Sequence, residues 1–387
     1  MVWWNNLRLK SKDPQTRRKA IESLDVEAHL DPQTFESLSA CLSDEDPQVR
    51  SAAAVAVGGT QDPRALDLLT KVLRDPNPET RQAAARGLGI LADPQAAEVL
   101  SAALRDPVPI VRTTVASTLR ALGWRPLTSE EQALFEISLG NARGAALHGE
   151  AAVKPLVTEL KHDTSFARRA AAEALEGVND PRRVEPLLQA VEDADPTVRV
   201  SAIHALSTET DDDVMAVLLR CFPDKEDCVR LAAAQVLGKR ENPVLVPYFL
   251  GLLADRYFEV RLAAVQFLAR YYSCQIADAL QLRLADADGD VRLAAAKALG
   301  NYRDPCAIEA LVVALTDEER AIRQAAEFSL NQIDANWAQS EPAQRAAVRL
   351  EAGLNDRPAW VRSAAQQVLA RLHAVTTEAA TKNGYPR

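Results

Sequence analysis

One arginine recurs along the chain in a fixed context: Arg17, Arg50, Arg81, Arg112, Arg168, Arg199, Arg230, Arg261, Arg292, Arg323 and Arg362. The successive spacings are 33, 31, 31, 56, 31, 31, 31, 31, 31 and 39 residues. Seven of the ten equal 31, and the two longest exceed 31 by 25 and by 8. Such a period is the signature of stacked repeats. It displaces the two or three globular domains that 387 residues would otherwise suggest.

Each copy has the same internal grammar. One residue before the arginine sits a small or β-branched residue, such as Val49, Val111, Val198, Val229, Val260, Val291 or Ile322. Seven residues after it sits an aliphatic, such as Val57, Leu88, Leu119, Leu175, Leu206, Leu237, Leu268, Leu299 or Leu330. An alanine-rich stretch lies between them, as in Ala52–Ala54 and Ala294–Ala296. These offsets place the apolar residues on one face of an α-helix, and the alanines let a second helix approach closely. Asp46-Pro47, Asn77-Pro78 and Asp195-Pro196 put an N-cap residue before proline at the first helical position. Asp62-Pro63, Asp93-Pro94, Asp180-Pro181, Asn242-Pro243 and Asp304-Pro305 open another helix, which ends on an aliphatic or aromatic residue eight before the next arginine. Gly58, Gly89, Gly238 and Gly300 fit C-cap positions that stop the second helix. The predicted unit is helix–turn–helix–turn. A lone helical pair cannot bury both faces, so the copies stack.

Six residues before the arginine stands an aspartate in nine of eleven copies: Asp44, Asp75, Asp106, Asp193, Asp224, Asp255, Asp286, Asp317 and Asp356. Ser11 and His162 replace it in the other two. A group present in every layer carries no positional information for a site. The pair is therefore read as a structural ladder, in which each guanidinium fork bonds aspartates or turn carbonyls of its own and the next unit.

The string Asp-x-Asp-Pro-x-Val-Arg, followed by an alanine run and Leu-Gly, resembles the HEAT repeat, specifically the short bacterial HEAT-like type first described in phycobilisome lyases. The resemblance covers residues 13 to about 373. It implies an all-α fold, a right-handed α-solenoid of about eleven helical-hairpin repeats. Residues 1–373 form the expected array, with repeats 1–4 in 1–122, an inserted helical segment in 123–148 and repeats 5–11 in 149–373; residues 374–387 lack periodicity and read as a frayed tail.

Function in such an array sits where the copies differ. In the insertion, Thr128-Ser129-Glu130-Glu131 looks like a capping box, and 129–139 and 141–147 read as a short helical pair. This is either a spacer or a docking element. The eight extra residues before Arg362 read as a longer turn. Exposed positions of the second helices should line the inner surface. Val200, Leu231, Leu262 and Leu293 form one column there, beside Glu173, His204, Gln235, Gln266 and Lys297. An apolar row beside a polar one suits a partner's helix or loop, although the leucines are equally read as edge core. Tyr248, Phe249, Tyr257, Phe258, Phe267, Tyr271 and Tyr272 crowd a single stretch with Arg270. That cluster reads either as a binding hot spot centred on Tyr257, Phe258, Arg270 and Tyr271, or as local overpacking of the core. At the N-terminus, Trp3 and Trp4 precede a run of basic residues; they either cap the first layer or make a weak peripheral membrane contact.

No catalytic constellation stands out. The histidines (His29, His148, His162, His204 and His373) have no partner at metal-ligand spacing. The cysteines (Cys41, Cys221, Cys228, Cys274 and Cys306) are scattered, which suits free thiols in a reducing cytoplasm. No apolar run reaches a spanning length, and the first ten residues lack the apolar region of a leader. The net charge of −9 and the absence of a basic stripe weigh against nucleic acid. The expected protein is a cytoplasmic, monomeric, non-enzymatic scaffold or adaptor. It needs no cofactor and binds another protein through the concave face, centred on the sixth to ninth copies. The family resemblance implies an alternative: a phycobilin lyase or isomerase subunit holding a linear tetrapyrrole, with His204, Tyr257, Tyr271 and Arg270 lining the groove. A HEAT-like DNA glycosylase would want a basic groove, which the acidic balance opposes.

Overall fold

A computed structural model describes residues 7–26, 30–352 and 359–382. Trp3, Trp4, His29 and Asp356 lie outside the described residues, and with them the N-terminal cap and membrane readings and the last aspartate of the ladder. Every regular element among the described residues is helical. The chain forms two compact units, Met1–Ala205 and Leu206–Arg387. Each is an α-solenoid of helical pairs.

In the first unit, Pro14–Glu22 is followed by the pairs Pro32–Ala40 with Pro47–Gly59, Ala65–Val72 with Pro78–Leu91, and Ala96–Ala103 with Pro109–Ala121. Then come Ser129–Ser138 with Ala142–Ala146, Glu150–Glu159 with Ser165–Glu176, and Val184–Ala190 with Pro196–Ala205. The second unit pairs Asp212–Leu219 with Asp227–Gly238, Val246–Leu252 with Phe258–Leu268, and Cys274–Arg283 with Gly289–Tyr302. It closes with Ile308–Ala314 and Arg320–Ile333, then Glu341–Ala352 and Ala359–Lys382. Within each unit successive second helices pack on one another, as Pro47–Gly59 does on Pro78–Leu91 and Gly289–Tyr302 on Arg320–Ile333.

Local chemistry sets these boundaries. Asp46 accepts from the N–H groups of Gln48 and Val49, and Pro47 occupies the first helical position. Asn77 does the same for Glu79 and Thr80. The periodic aliphatics form the core: Val49, Val57, Leu88, Val111, Leu119, Val229, Leu237, Val260, Leu268, Val291 and Leu299 are fully buried. Each such side chain contributes about 1.5–3 kcal/mol when taken from water.

The glycines have a different role from the expected one. Gly58, Gly89 and Gly300 lie within their helices, whereas Gly238 is the last residue of its helix. Two of those helices reach their left-handed cap later, at Ala92 and Arg303, both with φ of 53°. The physical reason is packing between second helices. A Cβ on Gly58 would overlap the Gly87 carbonyl, one on Gly87 would overlap the Ala54 carbonyl, and one on Gly300 would overlap Ser329. Gly58, Gly87 and Gly300 thus let neighbouring helices approach closely and do not end helices.

The extra 25 residues form a layer of the stack. Gly123, at φ +70°, follows the helix Pro109–Ala121. The Thr128 hydroxyl accepts from Glu131 N–H at 3.2 Å, while the Glu131 carboxylate accepts from Thr128 N–H at 3.2 Å, so the capping box is complete. Ser129–Ser138 packs on Glu150–Glu159, and Ala142–Ala146 packs on Ser165–Glu176, as first and second helices do elsewhere. Its second helix has only five residues. The longer turn near 331–342 contains a short 3-10 turn, Trp337–Gln339, whose Trp337 is buried under the Arg371 guanidinium, 4.9 Å from the ring centre. The expected tail from residue 374 is corrected in part: the helix Ala359–Lys382 continues through it to Lys382.

Gly58→Ala is expected to lower the melting temperature through an overpacking cost of about 1–3 kcal/mol. Gly251→Ala, in the helix Val246–Leu252 with open space around the position, is expected to stabilise by about 0.5–1 kcal/mol. Denaturant titration of the two variants checks both signs.

Candidate functional site

Among the described residues, seven of the recurring arginines fork onto an aspartate of the next layer. Arg50 donates from Nε to Asp75 Oδ2 at 2.8 Å and from Nη2 to Asp75 Oδ1 at 2.9 Å. Its Nη1 donates back to the carbonyls of Asp44 and Glu45, at 2.8 and 3.2 Å. The same forward fork joins Arg17 to Asp44, Arg81 to Asp106, Arg168 to Asp193, Arg230 to Asp255, Arg261 to Asp286 and Arg292 to Asp317. Each arginine thus takes carbonyls from its own turn and a carboxylate from the next layer. Each aspartate also accepts the backbone N–H two residues on, as Asp75 does from Asn77 and Asp224 from Glu226, both at 2.9 Å. Arg199 and Arg323 hold their own turns through Asp193 O and Asp317 O, at 2.8 and 2.7 Å. Arg362 is exposed.

These bonds shift proton affinities. The Arg168 guanidinium holds the Asp193 carboxyl below the usual carboxylate range. Burial pushes the Asp44, Asp255 and Asp286 carboxyls up. The arginine forks and backbone N–H groups outweigh it, so all three end below that range.

In the second unit the two candidate columns occupy different depths. Val200 and His204, in the first unit, are half-buried. In the second unit Leu231, Leu262 and Leu293 are half-buried, while Gln235, Gln266 and Lys297 are exposed. The leucines therefore sit at the margin of the core, with part of each side chain at the surface. Phe328 continues the polar column one repeat further, five residues after Arg323, and is 64% exposed. Sequence reasoning stopped that column at Lys297, although the offset alone reaches Phe328.

The aromatic residues separate into three places. Phe249 and Phe267 are buried and stack at 3.9 Å between ring centres, with Phe222 edge-on to Phe249 at 5.5 Å. Tyr257 and Phe258 meet at 5.6 Å at the start of the helix Phe258–Leu268. Tyr271 packs on Phe267 beyond the other end of that helix, at 5.1 Å. Twelve residues of helical rise put Phe258 and Arg270 about 18 Å apart, so these four residues do not form one hot spot. Arg270 caps helix ends. Its Nη2 donates to the Gly238 carbonyl of the preceding second helix, and its guanidinium lies over Phe267, 4.9 Å from the ring centre. Tyr302 makes the equivalent bond to Leu268 O at 2.7 Å.

Among the described residues no three His, Cys, Asp or Glu side chains gather to hold a metal ion, and no helix is long and apolar enough to cross a membrane. Cys41 and Cys221 are buried, and burial pushes the Cys41 thiol up to about 11.

A family model described as HEAT repeats matches residues 6–76, 69–136, 153–238 and 276–370. No match was found among the curated proteins. Human deoxyhypusine hydroxylase in complex with glycerol is similar over 86% of this chain and 96% of that chain, at 19% identity and a TM-score of 0.29. An engineered protein is similar over 96% of this chain and 98% of that chain, at 19% identity and a TM-score of 0.28. Importin beta is similar over 100% of this chain, which spans 56% of that chain, at 17% identity and a TM-score of 0.39.

The ladder sets a pH limit. A carboxyl held low in the folded chain contributes stability above its unfolded value, about 3.9, and loses it as pH falls through the folded value. Circular dichroism is expected to show helicity intact at pH 5 and lost progressively below about pH 4. Arg230→Leu, which strands Asp255 in a pair whose side chains are 6% and 9% exposed, is expected to cost about 3–5 kcal/mol in chemical denaturation.

Proposed function

The chain belongs to the HEAT-repeat family, and from that premise we propose that it is a non-enzymatic scaffold or adaptor that binds another protein along the exposed face of its second helices. The observation that carries this reading is the row in the second unit. Leu231, Leu262 and Leu293 recur at the 31-residue pitch with part of each side chain at the surface, flanked by exposed Gln235, Gln266, Lys297 and Phe328.

Chemistry and geometry both favour a macromolecular partner. The strongest recurring charges are consumed by the ladder. What the face offers is therefore a strip of aliphatic surface with amide and ammonium groups beside it. Such a strip suits a helix or extended segment that anchors apolar side chains at regular intervals. The stack holds these groups in place before the partner arrives, so little ordering cost falls on this side of the interface.

Leu231→Asp combined with Leu262→Asp is expected to abolish partner capture by the purified, immobilised chain. Each aspartate places a charge where the partner would bury apolar surface. Helicity by circular dichroism should stay within the wild-type range, because both side chains reach solvent. Undiminished capture by a folded double variant would exclude this face.

A further inference from the structure

The short layer leaves a slot. Apart from the first and last, the other second helices run from 10 to 14 residues, whereas Ala142–Ala146 has five. This short helix meets the C-terminal half of Ser165–Glu176, where Arg143 pairs with Glu173 at 3.2 Å. The N-terminal halves of Pro109–Ala121 and Ser165–Glu176 are left facing a cavity of about 310 Å³, lined by Pro109, Thr113, Ile137, Phe166, Ala167 and Ala170. A second cavity of about 250 Å³ continues past Arg112 and Glu159. Phe166, which lines the first cavity, is 68% exposed.

The ladder is rewired around this slot. Counted from the N-cap as in the other layers, Leu139 stands at the position of the rung aspartate and Ala145 at that of the arginine, and His162 stands at that of the following aspartate. Arg112 therefore passes the short layer and pairs through Nη2 with Glu159, 47 residues on, while its Nη1 takes Asp106 O and Pro107 O. Its Nε, which meets a carboxylate in the regular rungs, meets no acceptor among the described residues. Arg112 is 7% exposed and lines both cavities. The pairing with Glu159 does not exhaust a guanidinium in this chain: Arg292 reaches Asp317 at 2.7 Å, Glu319 at 3.2 Å and Glu318 at 3.5 Å. Both flanking helices open without a side-chain cap, at Val108 and Thr164. Their first N–H groups add positive potential beside the slot.

We propose that this slot docks a segment of another protein that restores the missing half-helix. The segment brings an acidic residue beside Arg112, then a short helical run of small and aliphatic side chains against Phe166, Ala167 and Ala170. The regular layers of this chain show what such a segment is made of: Asp44 supplies the carboxylate for Arg17, and Pro47 to Val57 supply the helix. The site lies wholly in the first unit, apart from the leucine row of the second.

The test is fluorescence anisotropy of a labelled, end-capped peptide of residues 44–57 titrated with the full chain. Saturable binding is expected, weakened at least about tenfold by Phe166→Asp in the protein. Phe166 is exposed, so the variant should fold. A peptide carrying Asp44→Asn, Glu45→Gln and Asp46→Asn should bind at least about tenfold more weakly. The Leu231→Asp and Leu262→Asp pair should leave binding unchanged, so failure here is separable from failure of the second-helix face. No saturable binding up to about 1 mM, indifference to Phe166→Asp, equal affinity for the two peptides, or loss of binding in the leucine pair alone would each overturn the proposal.

Discussion

Layer is held to layer by one guanidinium shared between two turns. In a regular rung the arginine fork grips the next aspartate with two bonds, and its remaining amino group closes its own turn on two carbonyls. A buried ion pair of this kind gains little over a well-packed apolar contact, because taking both charges from water costs several kcal/mol. What it adds is register. Apolar side chains tolerate sliding, whereas a planar fork finds its carboxylate at one separation and one orientation. In six of the seven forward forks the partner lies 25 residues on. The turns are therefore the fixed points of the stack, and the helices between them are free to differ.

That division explains why the chain tolerates so much variation on one face. The core needs a small or β-branched residue before the arginine and an aliphatic one seven after it, with small residues between them where backbones meet. None of these requirements reaches the positions one and five residues after the arginine. Those positions carry Val, Leu, Glu, His, Gln, Lys and Phe in different layers, at Val200, Leu231, Glu173, His204, Gln235, Lys297 and Phe328. A surface released from structural duty while held on a rigid frame is where a partner can be recognised.

The fold was legible because its determinants repeat. Spacing alone located the rung, the buried Val and Leu positions and the capped starts at Asp46 and Asn77. What sequence could not separate were residues with two physical uses. A glycine near a helix end serves equally as a left-handed cap or as a point of close approach; Gly58 and Gly300 are the latter because their neighbours in the next helix press on them. Arg270 among aromatics has the composition of an interface, yet its guanidinium is turned to the Gly238 carbonyl. The aromatic cluster was visible as a count along the chain, but the helix Phe258–Leu268 sends its members to opposite ends. Trp337 sat in what read as a loop, and only its burial shows that the longer turn folds around it.

The short layer was the least legible part, because it had lost the marks that identify a layer. Without its arginine it fell out of the period and looked like an insertion. Its neighbours nonetheless record it. If the 25 residues were a loop extruded from a regular stack, Arg112 would meet an aspartate six residues before Arg168. His162 stands there instead, and Arg112 turns to Glu159. Both substitutions make sense only if a helix pair occupies the intervening layer. Asn141 keeps the capping role that Asp46 and Asn77 have in the regular layers, accepting from Gly144 N–H at 3.0 Å. A rung removed at one layer is thus compensated at the layers on either side, and the compensation marks the short layer as a built part of the molecule.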